Sequence, residues 1–320
     1  MDEYLKLLES EIRRFRFDSR PSSLYDPIHY IMELGGKRIR PLLTLLAYAL
    51  YKKNPASIVR YAVAVEAFHN FTLMHDDIMD QAPLRRGKAT VHEMWNVNTA
   101  ILSGDVLLVK VYDRFLELDE KKLKEVLFLF NTAAAGVCEG QQWDMEFESA
   151  KTVTEAQYLN MIELKTAVLL GFSLELGAVL ADGPSEDKKT LRQFGIDLGI
   201  AFQLKDDLLD VYGDKEQFGK QQGGDIISNK RTYLLINAIK KAKGPTAKEL
   251  TYWLTAKKFD KKKKVQAVTA LYDAMGIRAL TEKKIQGYLG RAFQRLDKLA
   301  VKEKTGPLRE FVERLSGRQK

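Results

Sequence analysis

Two acidic clusters with the same spacing are the residues of this chain with the clearest chemical potential. Each places three carboxylates within five residues: Asp76, Asp77 and Asp80 in the first, and Asp206, Asp207 and Asp210 in the second. On a helix these carboxylates lie about one turn apart, and each like-charged pair costs about 0.2–0.5 kcal/mol. Apolar, helix-like sequence precedes both clusters, so a cation must offset the repulsion. Carboxylates completed by substrate phosphates are typical ligands of Mg²⁺, and the clusters therefore predict magnesium sites.

Basic residues suited to a diphosphate stand near these clusters and near glycine-rich turns. Because guanidinium groups match phosphate oxygens in a bidentate way, they indicate a phosphorylated substrate. Lys165 lies in an apolar helical stretch, where an unpaired cation would be costly. The others follow the glycine pair at 35–36, follow the first cluster, or lie in and after the glycine-rich loop 213–229: Lys37, Arg38, Arg40, Arg85, Arg86, Lys220 and Lys230.

The elements that must position these residues are helices. Apolar residues recur at helical spacing along most of the chain, and no stretch alternates as a half-buried strand would. The longest predicted helices cover about 91–116, 122–149, 154–181 and 186–212. Each acidic cluster comes near the C-terminal end of a long helix. The sequence predicts one all-α domain over residues 1–320. If the two cluster-bearing helices are neighbours in a bundle, six carboxylates face one cavity.

Charge and composition exclude several classes of function. The net charge of +8 owes much to lysines between 240 and 264, and the run 261–264 is interpreted as a solvated helix surface. No module of interleaved arginines and aromatic residues accompanies them, so no nucleic-acid partner is expected. No uncharged apolar run of about 18 residues is present, so stable membrane insertion is not expected. The single cysteine, Cys138, excludes an intrachain disulfide and fits a reducing, cytoplasmic location.

The motifs resemble those of the all-trans isoprenyl diphosphate synthases, the polyprenyl synthetase family, and especially its short-chain geranylgeranyl and farnesyl members. The resemblance implies an all-α helical bundle around a deep central cavity, usually in a homodimer. It also implies condensation of isopentenyl diphosphate with dimethylallyl, geranyl or farnesyl diphosphate, and release of diphosphate. The matching segments are Gly35–Pro41, His69, His75–Gly87, Gly104–Asp105, Gly140–Gln141, Asp144, Lys165–Thr166, Gln203–Asp210 and Gly219–Lys230.

The resemblance further implies a role for each site residue. Asp76 and Asp80 would bind two Mg²⁺ ions and Asp206 a third, with Asp77, Asp207 and Asp210 in support. The residues expected to hold the allylic diphosphate are Arg85, Lys165, Thr166, Gln203, Lys220 and Lys230. Those expected to hold isopentenyl diphosphate are Lys37, Arg40, His69 and Arg86. The implied catalytic set is Asp76, Asp80, Arg85, Lys165, Asp206 and Lys230. No separate base is assigned, because departing diphosphate can take the proton.

Product length depends on how far the growing chain can extend along the helix that carries Asp76. Phe71 lies five residues earlier, about 7.5 Å along a helix axis. Its ring and that of Phe68, with the small Thr72 beside them, would form the floor of the cavity; plain core packing is the alternative. In the resembling family, phenylalanine with a small neighbour at this position is typical of archaeal geranylgeranyl synthases. This favours a C20 product, with C15 second.

Two other functions fit parts of the pattern. Class I terpene cyclases share the fold and the first acidic motif, but they usually carry Asn, Ser and Glu in place of the second triplet. This chain keeps the aspartate triplet together with Lys37, Arg40 and His69. A non-catalytic partner subunit of a prenyl synthase would be free to lose metal ligands, whereas all six aspartates are present. Chain elongation is therefore the preferred hypothesis.

Overall fold

Helices form nearly all of the regular structure in the computed structural model, which describes residues 1–15, 20–213 and 223–317. The all-α prediction is confirmed. Contacts between residues divide the chain into two compact units. The first unit comprises Met1–Thr132, Phe172–Arg192 and Lys298–Arg309, and the second comprises Ala133–Gly171, Gln193–Asp297 and Glu310–Lys320. The predicted single domain over residues 1–320 stays a prediction.

The helices that precede residue 117 belong to the first unit. They are α1 (Asp2–Arg14), α2 (Ser22–Glu33), α3 (Ile39–Ala49), a 3₁₀ turn (Pro55–Ile58), α4 (Val59–Met79), α5 (Val91–Met94) and α6 (Val97–Leu116). α4 packs against α1, α2, α3 and α6. Its middle turns, from Ala62 to Phe68, are buried on every side. A helix in that position is normally apolar all round, so the buried Glu66 in its middle requires a cationic partner.

Between residues 120 and 212, three helices contribute residues to both units. They are α7 (Glu120–Ser149), α9 (Val168–Leu180) and α10 (Ser185–Tyr212). The bounds of α7 and α10 agree with the helices predicted near 122–149 and 186–212. The helix predicted over 154–181 is instead α8 (Glu155–Ile162) and α9, separated by a π-helical turn at Glu163–Ala167. The helix predicted over 91–116 is likewise interrupted, between α5 and α6.

Six further α-helices and one 3₁₀ turn follow the second acidic cluster in the described residues. They are α11 (Gly224–Ser228), α12 (Tyr233–Lys241), α13 (Gly244–Thr255), α14 (Lys261–Ala274), α15 (Ile277–Leu296), a 3₁₀ turn (Lys302–Lys304) and α16 (Gly306–Gly317). Within the second unit, α12 packs against α8, α14 and α15. Across the described residues, no helix combines the length and apolar character needed to span a membrane.

One short hairpin departs from the expectation of helices and loops alone. β1 (Leu84–Arg85) pairs antiparallel with β2 (Lys88–Ala89), directly after the first acidic cluster. Strands of two residues carry too little periodicity to be recognised in a sequence. The hairpin nevertheless matters, because it carries two of the predicted phosphate-binding arginines.

Lys264 corrects the interpretation of the lysine run as a solvated surface. The first three lysines of the run are exposed, but Lys264 is 0% exposed. Its ammonium donates to Oδ1 of Asn229 at 2.7 Å and to the carbonyl oxygen of Ile227 at 3.1 Å. It also lies 4.3 Å from the ring centroid of Phe259. A buried cation needs such partners, and these tie α14 to the segment that leads into Lys230.

Candidate active site

The first acidic cluster occupies the last turns of α4, and Asp80 caps the helix. Asp76 is half-buried and Asp80 is exposed, whereas Asp77 is buried. Both oxygens of Asp77 accept from Arg85: Oδ2 from Nε and Oδ1 from Nη2, each at 2.7 Å. A bidentate pair of this kind fixes the plane of the guanidinium. Asp77 therefore holds Arg85 in place, and the metal-binding role of the cluster stays a prediction.

A two-residue hairpin loop fixes the backbone at Arg86. Arg86 and Gly87 connect β1 to β2 with φ values of +54° and +77°. Positive φ at both central positions is the signature of a type I′ turn, whose twist suits a hairpin. Arginine is uncommon in this conformation. Its side chain is retained by a hydrogen bond that Nη1 donates to the carbonyl oxygen of Gly35.

The glycine pair at 35–36 makes room for that arginine. Both residues have positive φ, +77° at Gly35 and +143° at Gly36. A Cβ at position 36 would lie 2.8–2.9 Å from the guanidinium of Arg86, closer than van der Waals contact allows. The pair thus turns the chain and lets Arg86 lie directly on its backbone. This places Arg86 beside the segment that contains Lys37 and Arg40.

Arg40 contributes positive charge to the site in the first unit, with His69 beside it. Nη1 of Arg40 lies 3.1 Å from Nε2 of His69. Burial, together with Arg40 and Arg86, lowers the pKa of His69 well below its usual value, so the ring is neutral at pH 7. Burial lowers the pKa of Arg40 to about 10. Nε of Arg40 is buried and has no hydrogen-bond partner among the described residues. An anion would relieve this surplus of positive charge.

Arg38 has a different role from the cations on either side of it. It is 2% exposed and has a positive φ of +47°. Nε donates to Glu9 at 2.9 Å, Nη1 to Glu66 at 2.8 Å, and Nη2 to the carbonyl oxygen of Met32 at 2.9 Å. These bonds tie α1, α2 and α4 to the start of α3. Arg38 is therefore the partner that buried Glu66 requires, and it positions its neighbour Arg40.

An Arg38→Met variant is expected to lose about 3–5 kcal/mol in free energy of unfolding, because it leaves Glu66 buried without its cation. Urea denaturation of the purified protein measures this loss. Arg13→Met, at an exposed position on α1, is the matched control and should change stability by less than about 0.5 kcal/mol. Equal denaturation midpoints for the two variants would show that the buried ion pair does not stabilise the fold.

The π-helical turn between α8 and α9 presents Lys165 and Thr166. π-Helical turns are rare and frequent at functional sites. The extra residue in the turn changes the direction of both side chains relative to a continuous α-helix. Gly140 of α7 packs against this turn, since a Cβ there would overlap the backbone nitrogen of Lys165. Only glycine allows so close an approach of the two backbones.

Asp144 of α7 forms ion pairs with two of the predicted diphosphate ligands. Its Oδ2 lies 2.7 Å from Nζ of Lys165 and 3.6 Å from Nζ of Lys230. Burial alone would raise the pKa of Asp144, but Lys230 and Lys165 outweigh it and the pKa is lowered. One carboxylate is thus shared between two ammonium groups. Asp144 therefore keeps both ammonium groups close together, which suits an anionic ligand.

The second acidic cluster lies in the last turns of α10. Asp206 is exposed, whereas Asp207 is buried and accepts hydrogen bonds on both oxygens. Nε2 of Gln203 donates to Oδ1 at 3.1 Å, and the hydroxyl of Tyr158 donates to Oδ2. Oγ1 of Thr166 in turn donates to Oε1 of Gln203 at 3.1 Å. A continuous chain of bonds therefore links the π-helical turn to the cluster.

Burial disfavours the charged forms of two carboxylates around the second cluster. Burial raises the pKa values of Asp207 and Asp225, and the neighbouring Asp207 and Asp210 raise that of Asp225 further. The backbone N–H of Asp225 donates to Oδ2 of Asp210 at 3.0 Å. Among the described residues, no three acidic, histidine or cysteine side chains converge as a preformed metal site. Mg²⁺ often takes only one or two carboxylates plus water and phosphate oxygens, so this donor set fits it.

Comparison with known proteins identifies the family. The sequence model described as polyprenyl synthetase matches residues 21–272. The chain belongs to the polyprenyl synthetase family. It is 41% identical over 237 residues to a short chain isoprenyl diphosphate synthase of Methanocaldococcus jannaschii, covering 74% of this chain and 72% of that protein. It is 40% identical over 225 residues to a geranylgeranyl diphosphate synthase of Methanosarcina mazei, covering 70% and 69%.

The structural comparison agrees with the sequence comparison. A crystal structure of a geranylgeranyl pyrophosphate synthase matches with a TM-score of 0.95 at 41% identity, covering 100% of this chain and 99% of that one. The resemblance drawn from the motifs is therefore confirmed at the level of the polyprenyl synthetase family. The roles of individual residues stay predictions, and the predicted ligand Lys220 lies outside the described residues.

The residues predicted to set product length in this polyprenyl synthetase differ in exposure. Phe68 is 1% exposed and packs edge-on against Phe130 at 5.0 Å, so it belongs to the core. Phe71 is half-buried and lies 5.6 Å from Phe68 and 4.7 Å from His75 between ring centroids. Oγ1 of Thr72 donates to the carbonyl oxygen of His69 at 2.8 Å. Of Phe68 and Phe71, only Phe71 therefore has a ring that remains partly exposed.

Four residues that contact the predicted site were given no role from the sequence. Glu66 holds Arg38, Asp144 holds Lys165 and Lys230, Tyr158 holds Asp207, and Asp225 holds Asp210. Asp144 was the easiest to anticipate, because it stands inside one of the matching segments. Tyr158 gives no comparable signal, since tyrosine on an apolar helix is ordinary core composition.

A Gly140→Ala variant is expected to lower kcat/KM by about 10²-fold, because the new methyl group must push the backbone of Lys165 away from its bound position. Product formation at several substrate concentrations measures the effect. Gly136→Ala, one turn earlier on the same helix, is the matched control: its nearest contact would be an ordinary 3.5 Å to Leu164 or Val168. If both variants keep full activity, the close approach at Gly140 does not position Lys165.

Proposed function

We propose that this polyprenyl synthetase is a short-chain trans-prenyltransferase. It joins isopentenyl diphosphate to dimethylallyl, geranyl or farnesyl diphosphate and releases diphosphate. The proposal rests above all on the cationic group of Arg40, Arg86 and neutral His69, in which a buried guanidinium nitrogen lacks a partner among the described residues. A diphosphate supplies both the missing acceptor and the negative charge. Lys37, exposed and three residues before Arg40 in the sequence, is the fourth proposed ligand of isopentenyl diphosphate.

Magnesium is the proposed cofactor, with three ions per active site. Asp76, Asp80 and Asp206 would hold them, and Asp77, Asp207 and Asp210 would support these ligands. The fit is supported by Asp207 and Asp225, whose pKa values are raised mainly by burial and further by neighbouring carboxylates; a divalent cation nearby would favour their charged forms. When bound, Mg²⁺ neutralises the charge that develops on the departing diphosphate.

Side chains of the second unit are proposed to stabilise the diphosphate leaving group. Lys165 and Lys230 both lie beside Asp144 and can place positive charge on the allylic diphosphate, with Thr166 and Gln203 as hydrogen-bonding neighbours. The C–O bond breaks and its electrons leave with the diphosphate oxygen, which these cations stabilise. The double bond of isopentenyl diphosphate attacks the allylic cation. The proton then lost passes to the departing diphosphate.

Geranylgeranyl diphosphate, C20, is the proposed product, with farnesyl diphosphate, C15, second. Phe71 supports this choice, because its half-buried ring stands on the helix that carries Asp76 and is backed by the buried Phe68. Rings at this depth would stop the chain after a few isoprene additions. Apolar walls would also keep water from the allylic cation.

A homodimer is the proposed assembly, and the cytoplasm is the proposed location. An exposed apolar stripe on α6 supports the dimer: Leu102, Val109 and Leu116 are 58%, 56% and 60% exposed and stand seven residues apart, on one helix face. Apolar surface of this kind usually marks an interface. The single cysteine supports a reducing compartment. Sedimentation velocity of the purified protein tests the dimer, which a single monomeric species would contradict.

The proposed reaction is tested with purified protein, Mg²⁺, isopentenyl diphosphate and each allylic diphosphate in turn. The products are dephosphorylated and separated by chromatography. We expect geranylgeraniol as the main alcohol from all three starters. Absence of diphosphate release with every starter would overturn the proposal. Cyclic hydrocarbon formed from a single substrate would instead indicate a terpene cyclase.

A further inference from the structure

A cationic cavity in the second unit is lined by none of the residues assigned to the proposed active site. Its volume is about 880 Å³, within the range of small-molecule sites. α12 and α15 form most of its wall, and α8 contributes its only lining carboxylate among the described residues, Glu155. Against this one acid stand six cations: Lys240, Lys241, Lys243, Lys283, Lys284 and Arg291.

Only some of these cations have an acidic partner. Lys284 pairs with Glu155 at 2.8 Å, and Arg291 lies 3.3 Å from the buried Asp197. Lys240, Lys243 and Lys283 have no carboxylate within ion-pair distance in the described part of the chain. The cavity wall therefore carries at least three positive charges that nothing nearby neutralises. Concave surfaces with one sign of charge concentrate ions of the opposite sign.

A tyrosine hydroxyl faces the same cavity. Tyr233 lines it; the residue as a whole is 3% exposed, but its hydroxyl is not among the buried atoms that lack a partner, and it makes no hydrogen bond to the described residues. Burial, followed by Glu155, raises the pKa of Tyr233 to about 12, so it keeps its proton and can only gain from an acceptor. Beside it, the guanidinium of Arg291 stacks 4.0 Å from the ring of Tyr288, which orients its donors.

We propose that this cavity binds the diphosphate group of a small molecule. Three unneutralised ammonium groups and a tyrosine hydroxyl match the several charges and acceptors of a diphosphate better than a single carboxylate or a halide. A flat lipid surface is a poorer match, because the tyrosine hydroxyl lies inside a concave wall. The diphosphate can be free in solution or the head of a prenyl diphosphate. The expectation that the protein meets diphosphate in these two forms rests on the proposed function. The anion site itself is inferred from the cavity alone.

Calorimetric titration in EDTA, without Mg²⁺, tests the site with inorganic diphosphate and, separately, with geranylgeranyl diphosphate. The variant Lys240→Ala/Lys283→Ala is expected to lose one binding event, or at least about tenfold in its affinity. Tyr233→Phe removes only the hydroxyl and should weaken the same event several-fold. Lys261→Ala/Lys262→Ala removes equal charge from the exposed start of α14 and should bind as the wild type does. The ligand that binds more tightly shows whether the site takes free diphosphate or the head of a prenyl diphosphate.

Prenyltransferase turnover of each variant, measured with Mg²⁺, separates this site from the proposed reaction. We expect the Lys240/Lys283 variant to keep turnover within about twofold while losing the binding event. Identical titrations for wild type and this variant would overturn the proposal, and so would an equal loss in the Lys261/Lys262 control. Binding of the wild type to phosphatidylglycerol vesicles, with no binding of either diphosphate, would also overturn it. Lack of turnover in the wild type would count against the proposed function alone.

Discussion

Asp76→Ala and Asp206→Ala are each expected to lower kcat by at least about 10³-fold while helix content is unchanged. Each substitution removes a carboxylate that is proposed to hold Mg²⁺ against the leaving diphosphate. The expected loss is large because charge on the leaving group develops mostly in the transition state. Neither side chain is buried, Asp76 being half-buried and Asp206 exposed, so the variants should fold. Steady-state turnover and circular dichroism measure the two properties separately.

Asp113→Ala is the matched control for both variants. Asp113 is an exposed aspartate on α6 that pairs with Lys110 at 3.2 Å, and its loss should leave turnover unchanged. A second measurement does not depend on turnover: Mg²⁺ with inorganic diphosphate should raise the melting temperature of the wild type and of Asp113→Ala. The increase in melting temperature should be smaller in Asp76→Ala and Asp206→Ala. Full activity in both cluster variants would refute the metal assignment.

The second large effect is expected on the product rather than on the rate. Phe71→Ala should shift the main product from C20 to longer chains, because it removes the half-buried ring proposed to stop elongation. The loss of stability should be less than the about 3–5 kcal/mol typical of a fully buried phenylalanine. Chromatography of dephosphorylated products after long incubation with farnesyl diphosphate measures the shift. An unchanged product would place the floor of the chain-binding site elsewhere.

Tyr61→Ala is the control for that variant, since it truncates another half-buried aromatic side chain on the same helix, ten residues before Phe71. Its hydroxyl donates to the carbonyl oxygen of Glu117, and no role in product length is proposed for it. Longer products from both variants would mean that general loosening of α4, rather than the ring of Phe71, sets product length. Longer products from Phe71→Ala alone would support Phe71 as the floor of the chain-binding cavity.

Much of the site could be anticipated from the sequence because its signals are local. Like charges at Asp76 and Asp80 repel across one turn of any helix, and glycines at 35–36 permit backbone conformations closed to other residues. Such effects need no knowledge of distant residues. The hairpin at Arg85 is local too, but two-residue strands are too short to show a period. The π-helical turn at Lys165 escaped prediction for a similar reason, since one extra residue does not alter an apolar pattern.

The sequence by itself determined the helical class of this protein, the ends of its long helices, its acidic clusters and its family. Tertiary structure alone decided which partner each buried charge would take. From the sequence, Arg38 is grouped with the cations suited to a diphosphate and Lys264 is assigned to a solvated helix surface. In the structure Arg38 is instead neutralised by Glu66, and Lys264 is held by Asn229. The physical reason is that helical periodicity and repulsion act within a few residues, whereas a buried charge is stabilised by whatever group the packing of separate helices brings within about 3 Å.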